Sequence, residues 1–345
     1  MKSFSLVFCG VVFSVLSSSG YAARGNFDFD RWNDMQASIR TDAQKDNIST
    51  DTIDATLKNP VFIPRIVYND KNQSEFKLTL RDYLSRTVSN DRVRNGHNMS
   101  KTYPTLLGKT EAKYGIPRNV ILAFWGMESN YGTVKKAYRL KDAFFTLIYD
   151  GRREAFFKQQ LLSLMKTADK NKLDINNIYG SWAGAMGHFQ FIPTTLAQYG
   201  ADGNGDGKID IINNVSDAMF SAGNYLNKLG WNKNEKIAIK VLIPADFDTD
   251  LMNGDKKYTV TQWADRGVLN ADGTSLAKSD VVVGLVADTD DDAASSLVAS
   301  PDNDIADGQS VKVAYLTYPN FYRIKRWNNS NWYAIAIAEL SDKLK

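Results

Sequence analysis

From Ile116 to Gly132 the chain reads I-P-R-N-V-I-L-A-F-W-G-M-E-S-N-Y-G, and this stretch constrains the fold more than any other. Proline suits a first helical turn, and the apolar residues after it recur at helical spacing, which predicts a helix from about Arg118 to Ser129. Asn130-Tyr131-Gly132 is the expected stop. At roughly 100° per residue, Glu128 falls on the same stripe as Ile121, Phe124 and Trp125. Desolvation on that stripe and the negative end of the helix dipole both favour the protonated acid. A carboxylic acid kept protonated near neutral pH is what a general acid must be. A core glutamate satisfied by an arginine or a backbone amide would read the same way, so the helix alone leaves both open.

The rest of the chain removes most other chemistries. Of 345 residues, only two are histidine, His97 and His188, and only one is cysteine, Cys9. No HExxH, Walker loop or GxSxG is present, which argues against zinc hydrolysis, nucleotide-driven chemistry and an α/β-hydrolase triad. Residues 1–22 read as a cleaved secretory signal: Lys2, an apolar run from Phe4 to Leu16, then small residues to Ala22. Cys9 lies inside that run rather than at its end, so a lipid anchor is not expected. The chain beyond Ala22 then has no cysteine and no disulfide, which suits a bacterial periplasm. No transmembrane segment is expected in it.

Charge is unevenly placed. The formal net charge is +3, or +2 without Lys2, and residues 279–310 hold eight aspartates and no lysine or arginine, leaving the remainder at +10. A basic body favours an anionic polymer, but no recognised motif or basic-aromatic run points to nucleic acid, which is not expected as a partner. The Asp288–Asp292 cluster reads as a solvated loop.

The expected architecture is mainly α (α+β). A helical N-terminal lobe (23–110) leads into a central region (111–235), a small β-rich subdomain (236–317) carries the acidic loop, and a last segment (318–345) returns to the core. Pro60 and Pro64 bracket P-V-F-I-P-R-I-V, which reads as extended. Ile237–Ile243, Tyr258–Trp263 and Val311–Leu316 read as strands.

Two further stretches carry chemistry. Gly180 to Pro193, G-S-W-A-G-A-M-G-H-F-Q-F-I-P, places small residues where a backbone can approach a ligand or a helix closely, with Ser181 and Gln190 as hydrogen-bonding groups on an apolar wall. Asp202-x-Asn204-x-Asp206-Gly207-Lys208-Ile209-Asp210 follows a calcium-loop pattern, with oxygen side chains at positions 1, 3, 5 and 9, a glycine at 6 and the Lys208 carbonyl at 7. Position 12 is Asn213 rather than glutamate. An Asx-rich turn without an ion is the alternative.

M-E-S-N-Y-G, the Gly180–Pro193 stretch, D-G-N-G-D-G-K-I-D, A-G-N-Y-L-N-K-L-G-W and the terminal R-W-N-N-S-N-W-Y, in this order, resemble the B-type lytic murein transglycosylases, family 103 of the glycoside hydrolases. The likeness runs from about Trp32 to Lys345. It implies a lysozyme-like helical core in the central region and Glu128 as the single catalytic acid/base. It also implies Ser181, Gln190, Tyr225, Asn328 and Tyr333 as cleft residues, with Arg152 and Arg153 as partners for substrate carboxylates. Asp217 is implied as the late ligand of a structural Ca2+ site with Asp202, Asn204, Asp206 and Lys208. The loop before Arg152 is one residue shorter than the family pattern.

The implied substrate is the glycan strand of peptidoglycan, cut between N-acetylmuramic acid and N-acetylglucosamine with a 1,6-anhydro end. Other cell-wall enzymes are possible partners. A muramidase that activates water, or a calcium-dependent wall-binding protein without turnover, would share most of these features.

Overall fold

In the computed structural model, residues 27–72, 78–133, 137–289, 295–296 and 310–345 are described. The leader with Cys9 lies outside them, as do Asp290, Asp291 and Asp292.

In chain order the described residues form α1 (Phe29–Lys45), α2 (Thr50–Leu57), α3 (Pro64–Lys71), α4 (Leu80–Thr87), α5 (Asn90–Thr102), α6 (Pro104–Tyr114) and α7 (Arg118–Ser129). There follow β1 (Tyr138–Arg139), α8 (Leu140–Asp150), α9 (Glu154–Asn171), β2 (Tyr179–Gly180), α10 (Pro193–Tyr199) and α11 (Val215–Lys228). The remainder is β3 (Ala238–Pro244), β4 (Asn253–Thr259), α12 (Val260–Ala264), β5 (Leu269–Asn270), β6 (Val282–Ala287), β7 (Ser295–Ser296), β8 (Ser310–Thr317), α13 (Pro319–Trp327) and α14 (Asn331–Lys343). The chain is mainly α with one substantial sheet, as its sequence predicts.

Two local readings need correction. Pro64 does not end an extended segment but starts α3, occupying the first turn where its missing N–H costs nothing. Tyr258–Trp263 is a strand only as far as Thr259, because Thr259 and Gln262 form a reciprocal capping box that turns the chain into α12.

The chain divides into two compact units, with boundaries inside α7, after Met127, and inside α11, after Tyr225. One unit joins the described part of Gly10–Glu75 to Glu128–Tyr225. Its core is α8 and α9, with Phe144, Phe145, Phe157, Leu161 and Leu164 fully buried. Lys141 of α8 is also fully buried, and its Nζ donates to the carbonyls of Ala55 (3.0 Å) and Lys58 (2.8 Å), closing the C-terminus of α2. Asp169 of α9 works at the opposite end of α2, accepting from the Ser49 hydroxyl at 2.5 Å and the Thr52 hydroxyl at 3.0 Å.

The other unit joins the described part of Phe76–Met127 to Leu226–Lys345. Its antiparallel sheet runs β4-β6-β8-β3-β5, with β7 paired to β8, and Trp263 is buried in the core beneath it. Every residue of α7 from Val120 to Gly126 is buried, so the helix lies inside the unit rather than presenting one apolar stripe. With no polar residue in that span there is no face to give to water. Phe124 packs on Trp327 (4.7 Å between centroids) and Tyr333 (6.1 Å), and Trp125 on Tyr103 (5.7 Å). Asn119 donates to the Ser341 carbonyl at 3.0 Å, tying α7 to α14.

Asp288 corrects the reading of the acidic stretch as uniformly solvated. Its side chain is buried just beyond β6 and accepts the backbone N–H of Leu80, the first residue of α4. A carboxylate there satisfies one of the amides a helix start leaves unpaired.

Candidate active site

Glu128 occupies the last turn of α7 and is partly buried. The backbone after it is unusual: Asn130 (φ 46°), Tyr131 (φ 60°) and Gly132 (φ 83°) are three consecutive residues on the left-handed side. For the two non-glycine residues this costs about 1–3 kcal/mol each, so the surroundings must impose it. Ser129 does so. It is buried, donates its hydroxyl to the His188 carbonyl at 2.6 Å and accepts the Gly132 N–H at 2.8 Å. Gly132 has no alternative, since a Cβ there would stand 2.6 Å from the His188 ring.

His188 belongs to the glycine-rich stretch, which folds as a tight loop on this turn. Ser181 donates its backbone N–H to the Ala185 carbonyl, accepts the Gly184 N–H at its own carbonyl, and accepts the Ala185 N–H at its hydroxyl at 3.0 Å. Met186 and Phe191 pair through both backbone bonds at 3.0 Å. Gln190 also has a positive φ (49°), and its side-chain amide donates to the Gly187 carbonyl at 2.9 Å. Ser181 and Gln190 are both partly exposed. Tyr225 of α11 meets Phe191 edge-on at 5.7 Å and stacks on Tyr199 at 4.3 Å. Glu128, Ser181, Gln190 and Tyr225 thus belong to one unit, and the loop that carries Ser181 and Gln190 also holds the turn after Glu128.

Arg152 and Arg153 are placed differently from a pair reaching freely for substrate. Both form ion pairs with the buried carboxylate of Asp70, at the end of α3. Arg153 also lies over the Phe157 ring at 4.8 Å. Asn328 and Tyr333 lie in the other unit, and both are buried: Asn328 ends α13 and Tyr333 opens α14 against Phe124.

The Asp202–Asp217 segment is an oxygen-rich loop drawn in on itself. Asp202 accepts the N–H groups of Gly205 (2.6 Å) and Gly207 (2.8 Å), Asn204 that of Asp206 (3.1 Å) and Asp206 that of Lys208 (2.8 Å). Asp217 is fully buried and accepts from Gly203 (2.9 Å) and Asp210 (2.7 Å). Burial pushes its carboxyl up, against the pull of those amides. Among the described residues no three His, Cys, Asp or Glu side chains come together as a metal-holding group. The oxygens present suit a hard cation in kind, and a buried carboxylate beside Asp202 is what a cation would relieve. The loop also reaches the turn after Glu128, because the Ile211 carbonyl accepts the His188 N–H at 3.2 Å.

The family model of the transglycosylase SLT domain matches residues 30–342. The chain belongs to this family. It is 31% identical over 266 residues to membrane-bound lytic murein transglycosylase B of Escherichia coli (strain K12), a match that takes in 75% of this chain and 65% of that protein, so the chain spans less than two thirds of that relative. Among solved structures, SltB3 from Pseudomonas aeruginosa in complex with NAG-anhNAM-pentapeptide superposes with a TM-score of 0.80 at 31% identity, covering 91% of this chain and 79% of that one. The E. coli lytic transglycosylase Slt35 in complex with calcium superposes with a TM-score of 0.71 at 25% identity, covering 91% and 92%. Among the described residues of this SLT-domain chain, no helix is long and apolar enough to cross a membrane.

Three participants escape sequence reading of this SLT-domain chain. Ser129 stands beside Glu128 in M-E-S-N-Y-G, but its partner is 59 residues away. His188 contributes a carbonyl and a ring wall, roles that carry no motif. Asp70 stands 82 residues before Arg152, and no local spacing connects the two.

Proposed function

We propose that this chain is a secreted, periplasmic lytic transglycosylase that cleaves the bond between N-acetylmuramic acid and N-acetylglucosamine in peptidoglycan and leaves 1,6-anhydromuramic ends. The observation that carries the reading is Glu128 itself. In a chain of the SLT family it is a partly buried carboxyl at a helix end, followed by a strained turn seated on the loop of Ser181 and Gln190.

Glu128 protonates the glycosidic oxygen as the bond to C1 breaks, and the substrate's acetamido group stabilises the cation that develops, one of the exceptions to two-carboxylate glycosidases. The resulting carboxylate takes the proton of the C6 hydroxyl, whose oxygen bonds to C1. Glu128 ends protonated again, and no water is consumed. Ser181, Gln190 and Tyr225 hold the sugars, Asn328 and Tyr333 keep the contact roles the resemblance gives them, and Arg152 offers the face not turned to Asp70. Asp202, Asn204, Asp206, the Lys208 carbonyl and Asp217 would hold Ca2+, whose charge offsets the buried carboxylate and fixes the loop. Residues 1–22 direct export.

The test is product mass. Wild-type protein incubated with isolated sacculi is expected to release anhydro ends, and Glu128→Gln to bind sacculi and release nothing. Reducing ends about one water heavier, the muramidase outcome, would overturn the transglycosylase reading while keeping Glu128. Unchanged release by Glu128→Gln would overturn the role of Glu128.

A further inference from the structure

The segment after Glu128 is more tightly determined than the end of a helix requires. An ordinary C-terminus needs one left-handed residue; here three follow one another, two of them not glycine. The restraint comes from one buried hydroxyl that accepts from within the turn (Gly132 N–H, 2.8 Å) and donates outside it (His188 carbonyl, 2.6 Å). The His188 ring closes the other side, against Gly132. The same loop segment carries Gln190, itself held at positive φ and bonded to Gly187.

Building the acid on this turn has a mechanical consequence. Ser129 follows Glu128 directly, so the bonds that fix its backbone also fix the direction in which the Glu128 side chain leaves the helix. We propose that Ser129 is a positioning residue for the reaction, clamping the last turn of α7 to the His188 loop so that the Glu128 carboxyl and the sugar-holding residues of that loop keep one geometry. This rests on Glu128 being the acid/base. Ser129 touches no substrate; it acts by holding Glu128 in register with Ser181 and Gln190.

A positioning role differs from simple stabilisation in what it does to kinetics. A misdirected acid still sits beside bound substrate, so the loss falls on the chemical step and not on binding. Ser129→Ala should therefore lower kcat about 10- to 100-fold on soluble, uncross-linked glycan strands, with KM within about twofold of wild type. The control is Thr56→Ala, which removes another fully buried hydroxyl of the same unit, bonded at 2.7 Å to the Thr52 carbonyl in α2 and remote in sequence from the turn.

In the full chain, kcat, KM and melting temperature are measured for wild type, Ser129→Ala, Thr56→Ala and Glu128→Gln. The proposal expects Thr56→Ala to melt lower with wild-type kcat, and Ser129→Ala to lose kcat out of proportion to any change in melting. It is overturned if Ser129→Ala keeps kcat within about twofold, if KM rises with kcat unchanged, or if both alanine variants lose activity in step with their melting temperatures. Turnover by Glu128→Gln would instead remove the reading on which the proposal stands. If Ser129→Ala does not fold, Gly132→Ala and the double variant Gly132→Ala/His188→Ala read the clamp from its other side. The added methyl meets the His188 ring in the first and not in the second, so kcat should partly return. No return would sink the proposal.

Discussion

The guanidinium of Arg152 holds Asp70 twice, donating to its carboxylate and to its backbone carbonyl. Asp70 is almost fully buried and receives Arg153 as well, so one carboxylate joins the end of α3 to the turn before α9. Asp70→Asn leaves two guanidinium groups with a weaker acceptor and is expected to destabilise by about 2–4 kcal/mol, less than a wholly buried pair because Arg152 stays half exposed. Chemical denaturation measures it. Arg152→Ala should lower the denaturation midpoint whether or not it raises KM, and a change in KM alone would show that the ion pair contributes little to the fold.

Lys141 is the second buried charge whose role is architectural. Replacing it with Met keeps the aliphatic volume but leaves the Ala55 and Lys58 carbonyls at the end of α2 without their donor. The expected loss is about 2–3 kcal/mol, read as a shift of the urea midpoint at constant slope.

Asp169 gives a pH dependence with a defined sign. The Ser49 hydroxyl bond, followed by the Ser49 amide, the Thr52 hydroxyl and Lys172, holds its carboxyl below the usual 3.8, with desolvation opposing. Because the folded value is the lower one, its stabilisation is full above about pH 3.8 and is lost as pH falls through the folded value. Melting temperatures from pH 7 to 2.5 should therefore fall less steeply at the acid end in Asp169→Asn than in wild type.

Adding Ca2+ at neutral pH is expected to raise the melting temperature of wild-type protein and EDTA to lower it again, with no such response in Asp217→Asn. Ionised Asp217 is costly in its buried position, and a cation held by this loop would offset that cost. Equal melting with Ca2+ and with EDTA would mean that the loop is a self-satisfied Asx turn.

What the sequence revealed and what it hid divide along physical lines. Helix α7 was legible because a proline, an unbroken apolar run and a glycine stop act within a few residues of one another. Pro64 misled because the same residue can end an extended segment or begin a helix, and only the chain after it decides. Asp288 looked like part of a solvated run because local composition cannot show that Leu80, 208 positions earlier, supplies an unpaired amide. Ser129, His188 and Asp70 were invisible for the same reason. Their partners are backbone groups or distant charges, and neither leaves a spacing to read.

The three left-handed residues after Ser129 also determine where this chain can change length. A turn in which each residue has a prescribed rotation contains no slack. One residue gained or lost between Asn130 and Gly132 would move Gly132 off the imidazole and deprive Ser129 of its acceptor role. Insertions and deletions must therefore enter elsewhere, while those three positions keep their number and the third keeps its glycine.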